Sequence, residues 1–173
     1  MGLFGGLRLW PKDWRAAVIF TAGCTVSVAA LVVLTDWAFR PILSPGYLDF
    51  FGGPDLPRRI GAYMARAVGE EAVFRLLLMS ALVAAGNLFW GRNGASKPAL
   101  FIAAIALAQA ANVLPKLAEP SSAAEVAYDV LRFYVPGLVW GWLYWRHGFL
   151  AAVIAHPACH LILQPALLLV LSR

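Results

Sequence analysis

One stretch of the chain carries four ionisable side chains within otherwise apolar sequence: Arg66, Glu70, Glu71 and Arg75, in RAVGEEAVFRLLLMSAL. On a helix Arg66 stands four residues before Glu70, and Arg75 stands four after Glu71, so each pair can meet on one helix face. Adjacent side chains point about 100° apart, so only one of the two carboxylates can share a given arginine. A buried ion pair that fixes helix register accounts for one Glu–Arg pair, and two adjacent carboxylates ask for more. Further on, His156 and His160 are spaced i, i+4 beside Pro157, which puts both imidazoles on one face. Gln109 and Asn112 add two amides. Amides within a span are commonly interhelical glue, worth about 0.6 kcal/mol on average, and carry little chemistry alone.

These groups can cooperate in two ways. In one, a carboxylate acts as general base on a water that attacks an amide, while His and Asn donors stabilise the oxyanion. In the other, two histidines at i, i+4 plus a carboxylate ligate a divalent metal, which satisfies a zinc site on ligand count. The chain lacks an HExxH arrangement, so the metal reading rests on spacing alone. We expect neither metal nor cofactor.

The elements that must position these residues are membrane spans. The hydrophobic fraction is 61%, mean hydropathy is +0.73 and only 13% of residues are charged, too few to cover a soluble domain of 173 residues. A span needs roughly 20 apolar residues, and five segments qualify. The first runs from Trp14 to Trp37, with Asp36 and Arg40 marking its exit. After a Pro/Gly-rich connection with a short interfacial helix around Tyr47 to Phe51, the second runs from Ile60 to Phe89 and holds the acidic pair. Gly91 to Lys97 is a polar turn. The third covers Pro98 to Leu114 and stops at Pro115. Glu119 to Glu125 form a polar loop, with Ser121 or Ser122 as the next N-cap. The fourth includes Val130 to Trp145, kinked by Pro136. After a tight turn at Arg146, His147 and Gly148, the fifth runs from Phe149 to Leu171. The expected fold is an all-α membrane protein, a bundle of about five transmembrane helices forming a single domain over residues 1–173.

The first apolar run is too long for a signal-peptide core and lacks a clean cleavage site, so it stays as a span. The net charge of +5 does not indicate nucleic acid, because the basic residues are scattered at helix ends with no stripe of interleaved aromatics. Trp14, Trp37, Trp90, Trp142 and Trp145 fit membrane interfaces. Cys24 and Cys159 fall within spans and read as inert thiols rather than a disulfide framework. Basic residues cluster before span one and in the two turns after spans two and four. These lie on one side of a five-span bundle, which predicts a cytoplasmic N-terminus, with Arg58 and Arg59 opposing it.

The order Glu70-Glu71-Ala72-Val73-Phe74-Arg75, then Asn112, then His156-Pro157-Ala158-Cys159-His160 resembles the CPBP family. These are the CAAX-processing and bacteriocin-processing intramembrane proteases, also called Abi. The resemblance covers about residues 60 to 165, including FYVPGLVWGWLYWRHGFLAAVIAH, similar to the family's Gly-rich span, basic turn and small-residue helix. It implies a metal-independent glutamic endopeptidase that cuts peptide bonds of membrane-associated substrates. Glu70 would activate water, Glu71 and Arg75 would orient and charge-balance it, and His156 would help bind the oxyanion or the scissile carbonyl. It also implies membrane lipid and a membrane protein or peptide substrate as partners, in a bacterial inner membrane.

Two positions depart from the family pattern. The middle motif FxxxH is Ala108 to Asn112 here, and an amide accepts no proton at neutral pH. The final motif is commonly HxxxN, and His160 occupies its last position, from where it could take over the missing imidazole role. Two readings follow: an active protease, or a degenerate member serving as a small accessory subunit or assembly factor of a larger membrane complex. An ion relay ranks third, because the paired half-helices of transporters are missing. Convergence of Glu70, His156 and His160 on a water-accessible cavity is the structural test.

Overall fold

The computed structural model describes residues 7–89, 98–117 and 122–172, and all regular structure among them is helical. Helix α1 (Trp14–Ala38) opens at Asp13, whose carboxylate accepts the Ala16 N–H at 3.0 Å, and ends before the 3₁₀ turn Arg40–Ile42. Helix α2 (Pro45–Gly52) is the expected short helix, with Ser44 as N-cap and Pro45 where the missing N–H costs nothing. Helix α3 (Leu56–Phe89) begins four residues earlier than the sequence suggests. Its middle, Glu71–Met79, is a π-helix. Helix α4 (Pro98–Leu117) runs through Pro115 instead of stopping there. The polar turn Gly91 to Lys97, with Trp90, lies outside the described residues.

Helix α5 covers residues 123–147. Ser122 opens it with a reciprocal capping box to Glu125, and it passes through a π turn at Val130–Tyr134. Pro136, expected to kink this span, follows that turn directly, and its missing N–H fits the altered hydrogen-bond register. Helix α6 (Phe149–Leu171) starts at Gly148, whose φ of +95° suits only glycine. Among the described residues four helices, α1, α3, α4 and α6, are long and apolar enough to cross a membrane. The expected count of about five is close to this. Helix α5 falls short because its Trp, Tyr, Arg and His content lowers its hydropathy, although it lies in the bundle beside the others.

Helix α6 is the central element, touching α1, α2, α3 and α5, while α4 packs against α3 and α5. The two ends of the bundle are built differently. At the N-terminal end, the Phe149 and Leu150 N–H groups donate to Arg8 O and Leu9 O at 2.9 and 3.0 Å. A packed layer there includes Leu7, Met79, Val83, Phe101, Tyr144 and Ala152. Trp142 and Trp145 join this packing, with Trp145 stacked on Phe101 at 4.9 Å, whereas Trp14 and Trp37 are exposed. At the other end, two arginines cap helix C-termini. Arg59 donates to Phe50 O, Phe51 O and Gly53 O at 3.0, 3.1 and 2.7 Å, and Arg40 reaches Val170 O and Leu171 O. Cys24 and Cys159 are free thiols, the latter buried.

Candidate active site

A cavity of about 260 Å³ reaches from the middle of the bundle to the end that carries α2. Glu70, Arg75, Gln109, Asn112, His156 and His160 all line it, so helices α3, α4 and α6 bring the sequence-derived candidates together. Glu71 does not line it. Its side chain is 0% exposed and stands behind the wall.

Each carboxylate has its own arginine, at the spacing expected. Arg66 Nε lies 2.7 Å from Glu70 Oε1, with the arginine more than half exposed. Arg75 Nε lies 3.6 Å from Glu71 Oε1, with both side chains buried. The π-helix starts at Glu71, and its wider i→i+5 winding re-aims the side chains relative to an α-helix. No residue pattern announces this change of winding.

Glu71 Oε1 lies 2.9 Å from His156 Nδ1. A carboxylate accepts, so Nδ1 carries the proton and Nε2 is left for the cavity. Trp140 stacks on this imidazole at 5.4 Å with 17° between planes, which fixes the ring from its face. Arg75 Nη2 donates to Gln109 Oε1 at 2.7 Å and to Gly137 O at 2.9 Å, and Gln109 Nε2 donates to Phe133 O at 2.9 Å. One buried chain therefore runs from α5 through α4 and α3 to the histidine on α6. Gly137 makes room for it, because a Cβ there would fall on the Gln109 amide. Gln109, read from sequence as glue, is the joint of this chain. Of the two residues expected to orient Glu70, Glu71 meets His156, and Arg75 meets Glu71, Gln109 and Gly137.

His160 stacks on Tyr63 at 5.3 Å, and its ring centre is 5.8 Å from that of His156. Gln164 Nε2 is 3.5 Å from His160 Nδ1. Glu71 Oε2, Arg75 Nη1 and Gln164 Oε1 are buried without a protein hydrogen-bond partner. Buried polar atoms of this kind are usually satisfied by internal water, and of the three residues Arg75 lines the cavity. Among the described residues no three His, Cys, Asp or Glu side chains gather as metal ligands.

A family model described as type II CAAX prenyl endopeptidase Rce1-like matches residues 54–162, well over half of the sequence. The chain belongs to this family. No curated protein and no solved structure matches it. The Rce1-like stretch runs from just before α3 to two residues past His160, so it contains every candidate residue above. Its kind of function is that of the CAAX-type intramembrane proteases.

Helices α1 and α2 precede the Rce1-like stretch and bring a second charged cluster that sequence reasoning missed. Asp36 is fully buried and accepts hydrogen bonds from Tyr47 at 2.7 Å and Tyr128 at 3.0 Å. Arg132 Nε is 2.8 Å from Asp36 Oδ1 as an ion pair, off line for a hydrogen bond, while its Nη2 donates to Tyr47 Oη at 3.1 Å. Asp36, read as marking the exit of span one, is the centre of a latch joining α1, α2 and α5. Two opposite charges within different spans were the available signal, because each needs a partner.

Proposed function

We propose that this chain is an intramembrane endopeptidase hydrolysing peptide bonds of membrane-associated substrates with a water activated by Glu70. The observation that supports it is the shared cavity: Glu70, Asn112, His156 and His160 line one polar space within an apolar bundle. Glu70 takes a proton from water as the oxygen attacks the scissile carbonyl, and the same carboxyl delivers that proton to the departing amine. His156, held at Nδ1 by Glu71, presents Nε2 to the developing oxyanion and donates to it when that nitrogen carries a proton. His160 supplies the imidazole that Asn112 lacks, which assists proton transfer. General acid–base assistance of this kind is worth about 10² to 10⁴ in rate. The 173 residues act as one helical domain in a bacterial inner membrane, N-terminus cytoplasmic, with lipid and a membrane polypeptide as partners.

Loss of cleavage in Glu70→Gln with normal insertion and folding tests this reading. A sharper arm restores the family residue: Asn112→His should rescue much of the activity lost in His160→Ala. Equal loss of folding and activity in Glu70→Gln would sink it. The second reading, a non-cutting accessory subunit, is favoured by Asn112 and by the arginine already held on Glu70 at 2.7 Å. It predicts a stable membrane complex on mild purification, unaffected by Glu70→Gln.

A further inference from the structure

Among the charged residues lining the cavity are three arginines, Arg66, Arg75 and Arg132, and one acid, Glu70. The carboxylates that balance two of these arginines, Glu71 for Arg75 and Asp36 for Arg132, are 0% exposed and stand outside the lining. A molecule entering the cavity therefore meets guanidinium groups wherever it meets formal charge, except at Glu70. Arg75 is further anchored on Gln109 and Gly137, and Arg132 on Tyr47. Arg66 is held differently. It donates from Nε to Glu70 Oε1 at 2.7 Å, and its side chain is 58% exposed where the cavity meets its surroundings.

A guanidinium carries five N–H donors, and the edge formed by its two terminal nitrogens matches a carboxylate with two parallel hydrogen bonds. With Nε turned to Glu70, that Nη1–Nη2 edge of Arg66 is left for a second partner, and among the described residues neither terminal nitrogen holds a hydrogen bond. Room exists beside it. A Cβ built at Gly69, three residues on from Arg66 and next to Glu70, meets nothing within 4 Å. An exposed i, i+4 ion pair is weak, so Arg66 can take an anion on its free edge and shift with it while still balancing Glu70.

We propose that Arg66 is a specificity-determining residue whose free edge binds a carboxylate of the substrate, either the chain terminus or an acidic side chain, and so selects the peptide bond that reaches Glu70. The inference rests on the protease reading above for calling that ligand a substrate. With Glu70 on one edge of the guanidinium and the ligand on another, the two carboxylates stand roughly two extended residues apart, at about 3.3–3.6 Å each. The selected bond therefore lies close to the recognised carboxylate. On this account the arginine held on Glu70 is part of the enzyme's recognition of its substrate, since one guanidinium balances the base and holds the chain to be cut.

The test uses the full chain in lipid nanodiscs and a pool of randomised peptides anchored by an N-terminal palmitoyl group, made once with free C-termini and once as carboxamides. Retained peptides are identified by mass spectrometry. The wild-type chain should enrich carboxylate-bearing peptides over those with none by roughly tenfold, the scale of one hydrogen bond to a charged group. Enrichment lost on amidation assigns the chain terminus, and enrichment kept by amidated peptides containing Asp or Glu assigns a side chain. Arg66→Ala should remove the enrichment. Arg66→Lys, which keeps the charge without the planar fork, should retain part of it and reads the same point should the alanine variant fail to fold. Arg58→Ala, an exposed arginine outside the cavity lining, should leave it unchanged. No enrichment by the wild type, equal enrichment by wild type and Arg66 variants, or the same loss in Arg58→Ala overturns the site. Cleavage of the same pool by wild type and Glu70→Gln is scored separately. Cuts remote from the carboxylate overturn the part of Arg66 in choosing the bond. Enrichment without any Glu70-dependent cut overturns the protease reading and leaves Arg66 a carboxylate-binding residue.

Discussion

The adjacent carboxylates offer a controlled comparison, because the same isosteric change at neighbouring positions should have opposite consequences. Glu70 is 22% exposed and its partner Arg66 58% exposed; an ion pair this wet contributes about 0–1 kcal/mol. Glu71 is 0% exposed, Arg75 3% and His156 14%. Removing one member of a buried pair leaves the other charge uncompensated, which costs about 3–5 kcal/mol. At about 2–4 °C per kcal/mol for a chain of this size, Glu71→Gln should lower the midpoint of thermal unfolding in detergent by roughly 10 °C. Glu70→Gln should shift it by no more than a few degrees. Adding Arg75→Met to Glu71→Gln should recover part of the loss, since the second change removes the orphaned charge while giving up the bonds to Gln109 and Gly137. Cleavage should fail in Glu70→Gln despite its stability. Equal midpoints for Glu70→Gln and Glu71→Gln would refute the division between a cavity-facing carboxylate and a structural one.

Three further outcomes follow from local geometry. Gly137→Ala should displace the Gln109 amide, breaking one charge-assisted and one neutral hydrogen bond at a cost of about 2–4 kcal/mol; thermal unfolding reads it, and Gln109→Ala in the same chain should add little, since the two changes remove the same bonds. Gly148→Ala should cost about 1–3 kcal/mol from backbone strain at φ +95°, with faster amide exchange at Phe149 and Leu150 as the segment from Arg8 to Trp10 is pushed away. The Ser122 N–H and hydroxyl hold the Glu125 carboxyl below its ordinary range. Its folded value is therefore the lower one, so the cap is intact above the ordinary carboxylate pKa and is lost as pH falls through the folded value. Exchange at the start of α5 should quicken over that acid range, and Glu125→Gln should abolish the step.

Much of the site was legible because membrane burial makes polar residues conspicuous. Glu70, Glu71, Arg66 and Arg75 stood out in an apolar run, and i, i+4 spacing was enough to pair them correctly. His156 and His160 shared a face for the same reason. What spacing could not supply was the partner on another helix. Gln109 meets Arg75 across 34 residues, and Asp36 meets Tyr128 across 92. Glu71 looked like a companion of Glu70 because they are neighbours, yet its hydrogen bond goes to a histidine 85 residues away. The π segments were illegible too, since their residues have no distinctive pattern and the altered winding answers to tertiary contacts. The expected count of about five spans comes close to the four found, with α5 the helix whose aromatic and charged side chains lower its hydropathy.

The family resemblance and the structure also disagree about where the working unit begins, and packing decides between them. The Rce1-like match starts at residue 54, so α1 and α2 lie outside it. Yet Val28 and Val32 of α1 and Tyr47 and Phe51 of α2 form one side of the cavity. Without them Glu70 and His160 would face lipid rather than an enclosed polar space, a position that ionisable groups in spans avoid because an unpartnered charge in hydrocarbon is costly. The Asp36–Arg132 latch gives that wall its register: Arg132 sits on the π turn of α5 next to Phe133, whose carbonyl takes the Gln109 amide. Wall and catalytic helices are thus joined at adjacent residues of one turn. A substitution at Asp36, far from the acidic pair in sequence, acts on the same turn that anchors Gln109 and Arg75. The candidate site is therefore a property of all six described helices, although its chemistry-bearing residues come from three.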